Sequence, residues 1–167
     1  MKKLFAAVLT LSLASSAMAG FGVEFGSNWY KVNHTDNVYD NLFGQGQNFT
    51  LTWSLDNDLS LGSYAEAGTW LYDNGSSDTW ELTAIQISKG IVKNVAIGTN
   101  IGRMYTTYGG NQALLIDVFG EVTLLAGTGD KVGGSVKTQI TARYSNDAVS
   151  DYNFSGVGLN LLVGLSF

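Results

Sequence analysis

The sequence has no cysteine and only one histidine, His34. Without thiols there is no disulfide scaffold, no thiol nucleophile and no cysteine-based zinc centre. One imidazole cannot build a His-rich metal site and leaves little basis for His-dependent catalysis. No metal centre and no cofactor are therefore expected. Charge is scarce as well. Only 14% of the 167 residues are Asp, Glu, Lys or Arg, and the 9 basic side chains are outnumbered by 14 acidic ones, for a formal net charge of −5. An acidic chain of this kind is a poor partner for nucleic acid, whose phosphates demand Lys and Arg. The length sets an expectation of one domain.

Long apolar runs are missing too, beyond the first twenty residues. Mean hydropathy is +0.08, too apolar for an ordinary soluble chain with so few charges and too polar for a bundle of membrane helices. The combination fits strands that are apolar on one face and polar on the other. The start of the chain is a different matter. Lys2 and Lys3 form a positive n-region, Leu4 to Leu13 an apolar stretch, and Ala17-Met18-Ala19 a small-x-small exit with Gly20 as the first mature residue. This is the build of a cleavable secretory signal, and the apolar run falls short of the ~20 residues that span a bilayer. The expected organisation is a signal peptide over 1–19 and a β-barrel over 20–167.

From Phe21 onward the chain alternates with period two, the pattern of strands with unlike faces. Phe49, Leu51, Trp53 and Leu55 share one side, with Asn48, Thr50, Thr52 and Ser54 on the other. Val157, Leu159, Leu161, Val163, Leu165 and Phe167 oppose Gly156, Gly158, Asn160, Gly164 and Ser166. Turn signals divide the chain into eight segments, about 21–32, 47–55, 59–72, 79–88, 94–106, 113–126, 131–145 and 154–167. In the fourth, Trp80, Leu82 and Ala84 give way to Ile85 and Ile87, so a bulge near Ala84 is expected to correct the phase. Compact turns at 56–58, 89–93 and 127–130 alternate with longer polar stretches at 33–46, 73–78, 107–112 and 146–153. An even strand count with short turns at one end and longer loops at the other is the layout of an outer-membrane barrel.

Closure follows from the surroundings. In hydrocarbon an open sheet edge leaves unpaired amides at several kcal/mol each, so only a closed barrel is viable. The expected fold is all-β, an eight-stranded antiparallel up-and-down transmembrane barrel in the bacterial outer membrane. Its partners are outer-membrane lipid, lipopolysaccharide and the barrel assembly machinery. The polar faces carry Glu24, Glu66, Glu81, Asp117, Glu121, Lys137 and Arg143, too many charges for a dry soluble core and suited to an enclosed network of paired carboxylates and cations. Aromatic residues gather near the two segment ends as interfacial girdles. Trp29, Tyr30, Trp70, Tyr72, Trp80, Tyr105, Tyr108, Tyr144, Tyr152 and Phe154 fall toward the long loops; Phe21, Phe25, Trp53 and Phe167 toward the short turns. Eight strands enclose a space that side chains can fill, which disfavours a wide pore.

The final alternating residues, ending in Phe167, resemble the closing-strand signature read by the outer-membrane assembly machinery. Arg143-Tyr144-Ser145-Asn146, with the strand count and turn spacing, resembles the outer-membrane lipid A 3-O-deacylases (PagL-like). There the matching stretch reads His-Tyr-Ser-Asn and supplies the His and Ser of a lipid-facing esterase. The resemblance implies Ser145 as a nucleophile and Asp151 as the nearest acidic partner, with Arg143 standing where the base belongs. A guanidinium cannot accept a proton, and a serine needs a neighbouring base. The alternation also turns Arg143 and Ser145 toward the lumen, and His34 lies in the first long loop. Asp56-Asn57-Asp58 lacks the Gly and Glu of a calcium loop, and Lys31 and Arg103 read as interfacial cations. Three readings stay open: a non-catalytic barrel serving envelope integrity or loop-mediated interaction, a lipid A esterase using Ser145, and a narrow ion or solute channel.

Overall fold

The alternating segments form eight strands: β1 (Phe21–Val32), β2 (Leu42–Ser54), β3 (Leu59–Leu71), β4 (Ser77–Val92), β5 (Val95–Thr106), β6 (Gln112–Thr128), β7 (Gly133–Asn146) and β8 (Gly156–Ser166). The computed structural model describes residues 20–32, 42–55, 58–71, 75–107, 112–128, 132–146 and 155–167. The expected signal segment, His34 and Asp151 lie outside the described residues. Each strand pairs antiparallel with the next, and β8 pairs with β1 to close the barrel. No sheet edge is left to expose unpaired amides, which satisfies the condition hydrocarbon imposes.

Residue parity decides the faces. In β1 to β5 the even-numbered residues turn inward, as Asn28, Asn48, Glu66, Gln86 and Asn100 show by their burial. In β6 and β7 the odd-numbered residues do so, bringing in Asp117, Phe119, Glu121, Gln139, Thr141 and Arg143. The outward rows are apolar and bare: Phe25, Ile85, Val118, Ile140 and Val163 are each between 57% and 64% exposed. This is an inside-out core, with grease outside and amides and charges within. Such a surface is matched to acyl chains.

The connections alternate in length as the sequence implies. Residues 93–94 join β4 to β5, and Asn94 takes φ 67°, a left-handed conformation that Asn tolerates better than most residues. Asp58, φ 60°, closes the β2–β3 turn and its carbonyl accepts the Gly90 amide at 2.9 Å. At this short-turn end Phe21 lies 5.9 Å from Trp53 and 6.2 Å from Phe167, centroid to centroid, so the lower girdle is a contiguous aromatic cluster.

Three expectations are corrected. No bulge interrupts β4 at Ala84. Its register runs unbroken from Leu59↔Lys89 to Leu71↔Ser77 on one side and from Trp80↔Thr106 to Gly90↔Ala96 on the other. The register shifts fall lower, at Gly90/Val92 and at Thr123/Leu125. Trp80 and Leu82 are apolar and inward, 1% exposed each, while Ile85 and Ile87 are outward. The apolar residues change face with no change of phase, because the lumen beneath the long-loop end is itself apolar. For the same reason Tyr30, Trp70 and Trp80 do not join an interfacial girdle; they are buried in the interior. Tyr105 and Tyr144 do stand outward and exposed near that end. Strand limits also differ: β2 begins at Leu42 and β4 covers Ser77–Val92, both longer than the alternation alone indicates.

Candidate functional site

The interior divides into three levels along the barrel axis. Uppermost, under the long-loop end, Trp70 and Trp80 pack with ring centroids 4.1 Å apart, and Val32, Leu82, Met104 and Leu115 fill the remaining space. Glycine makes room for these rings. A Cβ on Gly68 would overlap the Trp80 indole, and one on Gly158 would overlap the Tyr30 ring. Small residues opposite large ones are how a narrow barrel is filled without voids.

Directly against these rings sits an ionic node. Arg143, on β7, spans two carboxylates with its guanidinium fork. Nε donates to Asp117 Oδ1 at 2.9 Å and Nη2 to Oδ2 at 3.0 Å, while Nη1 donates to Glu66 Oε1 at 2.9 Å and Nη2 to Oε2 at 3.0 Å. The planar fork suits this double bidentate role, which an ammonium could not reproduce. Glu66 also accepts from Trp80 Nε1 at 2.7 Å, Tyr64 OH at 2.5 Å and Tyr30 OH at 3.3 Å. Tyr30 in turn accepts from Arg143 Nη2 at 3.0 Å and carries the guanidinium 4.0 Å above its ring centroid. The side chains of Arg143, Glu66 and Asp117 are at most 1% exposed. Charges this deep are tolerable only when paired and fully hydrogen-bonded, and these are.

Below the node comes a layer of amides and hydroxyls. Asn160 Nδ2 donates to Gln139 Oε1 at 3.1 Å and Thr141 Oγ1 at 3.3 Å, and Gln139 Nε2 donates to Glu121 Oε2 at 2.7 Å. That last bond connects to the lower ionic cluster, where Lys137 Nζ meets Glu24 Oε1 at 2.6 Å and Glu121 Oε1 at 3.0 Å. The lower cluster faces a cavity of about 370 Å³ at the short-turn end, lined also by Gln86, Ser54, Ser135 and Phe21.

The residues expected to form a lumen network are therefore placed as follows. Glu66, Asp117 and Arg143 come together in the upper node, and Glu121 and Lys137 in the lower cluster with Glu24. Glu81 is corrected. It stands on the outward face of β4, exposed and paired across the ladder with Ala67 and Tyr105, because its neighbours Trp80 and Leu82 take the inward positions. Ser145 is 0% exposed on the lumen side of β7, and its Oγ has no hydrogen-bond partner among the described residues. Arg143, two residues before it on the same face, is committed to Glu66 and Asp117. Tyr30, Tyr64, Trp80, Gln139 and Asn160 join the network although charge alone does not mark them as members. Parity is the signal that finds them, since each shares it with a charged or amide residue of its own or the adjoining strand. Among the described residues no group of three or more His, Cys, Asp or Glu side chains is placed to hold a metal ion.

No protein-family model matches the chain, and no curated protein is similar in sequence. Solved structures are similar in fold. The outer membrane protein Ail of Yersinia pestis, solved in a phospholipid bilayer nanodisc, superposes with a TM-score of 0.54 at 12% identity, over 89% of this chain and 99% of that one. Neisserial surface protein A superposes with a TM-score of 0.50, also at 12% identity, over 87% of this chain and 95% of that one. Their near-complete mutual coverage at such low identity shows that this chain has the fold of the small eight-stranded outer-membrane barrels.

Proposed function

We propose that this protein is a small, non-catalytic barrel of the bacterial outer membrane, exported by the segment 1–19, that serves envelope integrity or loop-mediated interaction. The carrying observation is the plug formed by Arg143, Glu66 and Asp117 beneath Trp70 and Trp80. A guanidinium shared by two carboxylates and roofed by two indoles leaves no room for a diffusing solute. The apolar outer rows support residence among acyl chains, with lipopolysaccharide as the lipid met at the long-loop end. Delivery by the barrel assembly machinery is proposed on the likeness of the alternating β8 residues Val157, Leu159, Leu161, Val163, Leu165 and Phe167 to a closing-strand signature.

The esterase alternative draws on the likeness of 143–146 to the lipid A deacylases, and the geometry weakens it. Ser145 is enclosed on the polar side of the wall, whereas a lipid A ester lies on the apolar side. The base position holds Arg143, which cannot take a proton. Incubating the refolded protein with purified lipopolysaccharide and measuring released hydroxy fatty acid is the direct test. No release is expected; release that Ser145→Ala abolishes overturns the reading. Planar-bilayer recordings test the channel alternative. A silent barrel is expected, and stepwise conductance in the unaltered protein counts against the plug.

A further inference from the structure

Two outward charges on adjoining strands stand at one height, and their arrangement specifies a partner. A ladder row followed from Phe21 around the eight strands returns to β1 at Lys31, ten residues nearer the long-loop end. Each step from strand to strand therefore climbs about 1.25 residues along the barrel axis. Glu81 on β4 pairs with Tyr105 on β5, and Arg103 lies two residues below Tyr105. The climb nearly cancels that offset, so Glu81 and Arg103 are level to within about one residue. Both are exposed on the outer face. Glu81 has no ion pair among the described residues, and Arg103 turns the other way, its Nη1 donating to Gln112 Oε1 on β6 at 3.3 Å. Exposed apolar residues lie above this place at Phe43 and Leu71 and below it at Ile85 and Ile101. The two charges thus sit inside the upper margin of the apolar band, not beyond it. Farther round the wall, at about this height, stand Tyr144 and Val157. Charge on a lipid-facing wall is unfavourable in a depth-dependent way, and a partner that answers it removes the penalty.

We propose that the β4–β5 face is a homodimer interface, its occupant a second copy of this chain related by a two-fold axis along the membrane normal. Such an axis, passing between β4 and β5, keeps every height and exchanges the lateral positions. Glu81 of one copy then faces Arg103 of the other, and the reciprocal pair forms beside it, as an isologous contact requires. Equal height is what makes the face its own complement; charges at different depths would miss each other. The surroundings permit close approach. Ala65 and Ala67 flank Glu81 on the β3 side, and Ile85 and Ile101, paired across the ladder, supply apolar contact beneath. The five N–H donors of a guanidinium let Arg103 keep Gln112 while it meets a carboxylate. Other occupants fit less well. A lipopolysaccharide phosphate drawn to Arg103 meets the Glu81 carboxylate at the same depth, and a free cation drawn to Glu81 meets the guanidinium. The inference concerns the outer wall and is independent of the plug in the lumen.

The test uses the full mature chain in proteoliposomes. The sequence lacks cysteine, so Lys93→Cys in the β4–β5 turn gives one labelling site near the proposed axis. Energy transfer between donor-labelled and acceptor-labelled copies is followed as lipid is added. Transfer is expected to exceed the random-collision level and to fall on dilution along a monomer–dimer curve. Glu81→Arg and Arg103→Glu are each expected to weaken association at least about tenfold, because each sets like charges against one another. Mixing the two variants is expected to restore association to within about threefold of the unaltered protein, since each supplies the charges the other lacks. Restoration in trans separates a contact between copies from an ion pair within one barrel and from a lipid partner. Transfer at the random-collision level at every dilution overturns the proposal, as does a reversal that leaves association unchanged or a mixture that restores nothing. Association that appears only with lipopolysaccharide in the vesicles, and equally in the variants, also overturns it. Should a reversal fail to fold, Glu81→Gln and Arg103→Gln decide in its place, each expected to weaken association severalfold. None of these outcomes depends on whether the barrel is catalytic or conducting.

Discussion

The two ionic clusters of the lumen have the same composition, two carboxylates and one cation, in unlike surroundings. In the upper node the side chains of Arg143, Glu66 and Asp117 are at most 1% exposed. In the lower cluster Lys137 is 21% exposed, Glu121 11% and Glu24 8%. The upper cation is a fork whose donors are distributed over two carboxylates and a phenol; the lower one is a compact ammonium beside a water-accessible cavity. Burying ions is costly and repaid only by complete pairing. The upper node accordingly recruits Trp80, Tyr64 and Tyr30 as neutral partners, whereas the lower cluster has Gln139 on Glu121 and otherwise opens on the cavity. One is built as a plug and the other as a mouth.

The sharpest way to break this comparison is to remove each cation in turn. Arg143→Met leaves Glu66 and Asp117 buried with no counter-charge, and removing one partner of such a pair costs about 3–5 kcal/mol. A urea titration followed by tryptophan fluorescence should show a large fall in midpoint, because Trp70 and Trp80 report on this level. A fall of less than about 1 kcal/mol means the node is hydrated, and the plug reading fails. Overpacking the same level should come next. Gly68→Ala places a methyl against the Trp80 ring and 2.6 Å from the Gln45 carbonyl oxygen, for about 1–3 kcal/mol. An unchanged midpoint there would show that the two indoles can move apart.

Lys137→Met is the matching change below. Charged hydrogen bonds contribute about 1.5–3 kcal/mol, and partial exposure brings the expected loss to about 1 kcal/mol. Salt sharpens the contrast. Between low salt and 1 M the Debye length falls to about 3 Å, so the penalty of Lys137→Met should shrink while that of Arg143→Met holds. If both respond alike to salt, the two levels share one solvent and the distinction between plug and mouth is lost.

The same contrast marks what the sequence reveals and what it conceals. Alternation is a local property, so β1 could be bounded at Phe21–Val32 from its residues alone, and the barrel follows from eight such segments in unlike surroundings. Pairing partners are not local. That Arg143 meets Glu66, 77 residues away, depends on barrel closure and shear. The error over Trp80 and Glu81 has one source, the assumption that apolar means outward. It holds where the lumen is polar and fails beneath the long loops, where indole rings fill the interior and displace a carboxylate to the outer face. Strict parity counting from Gln86, an amide in the same strand, points Trp80 inward and Glu81 outward without any bulge.

The smallest effect should come from the residue with the strongest catalytic resemblance. Ser145 is fully buried beside the upper node, its Oγ without a partner among the described residues, and a buried hydroxyl without a partner carries its desolvation penalty uncompensated. Ser145→Ala deletes that oxygen and leaves a void smaller than a methyl group, so the urea midpoint should stay level or rise by up to about 1 kcal/mol. A nucleophile held for catalysis behaves in the same direction, since active sites trade stability for function, and stability alone does not separate the two cases. The lipopolysaccharide assay on the same variant does. A stabilised protein with nothing to lose in deacylation marks Ser145 as a packing residue of the plug. A stabilised protein that loses measurable ester cleavage makes it a nucleophile, and then the wall of β7 must open toward the lipid.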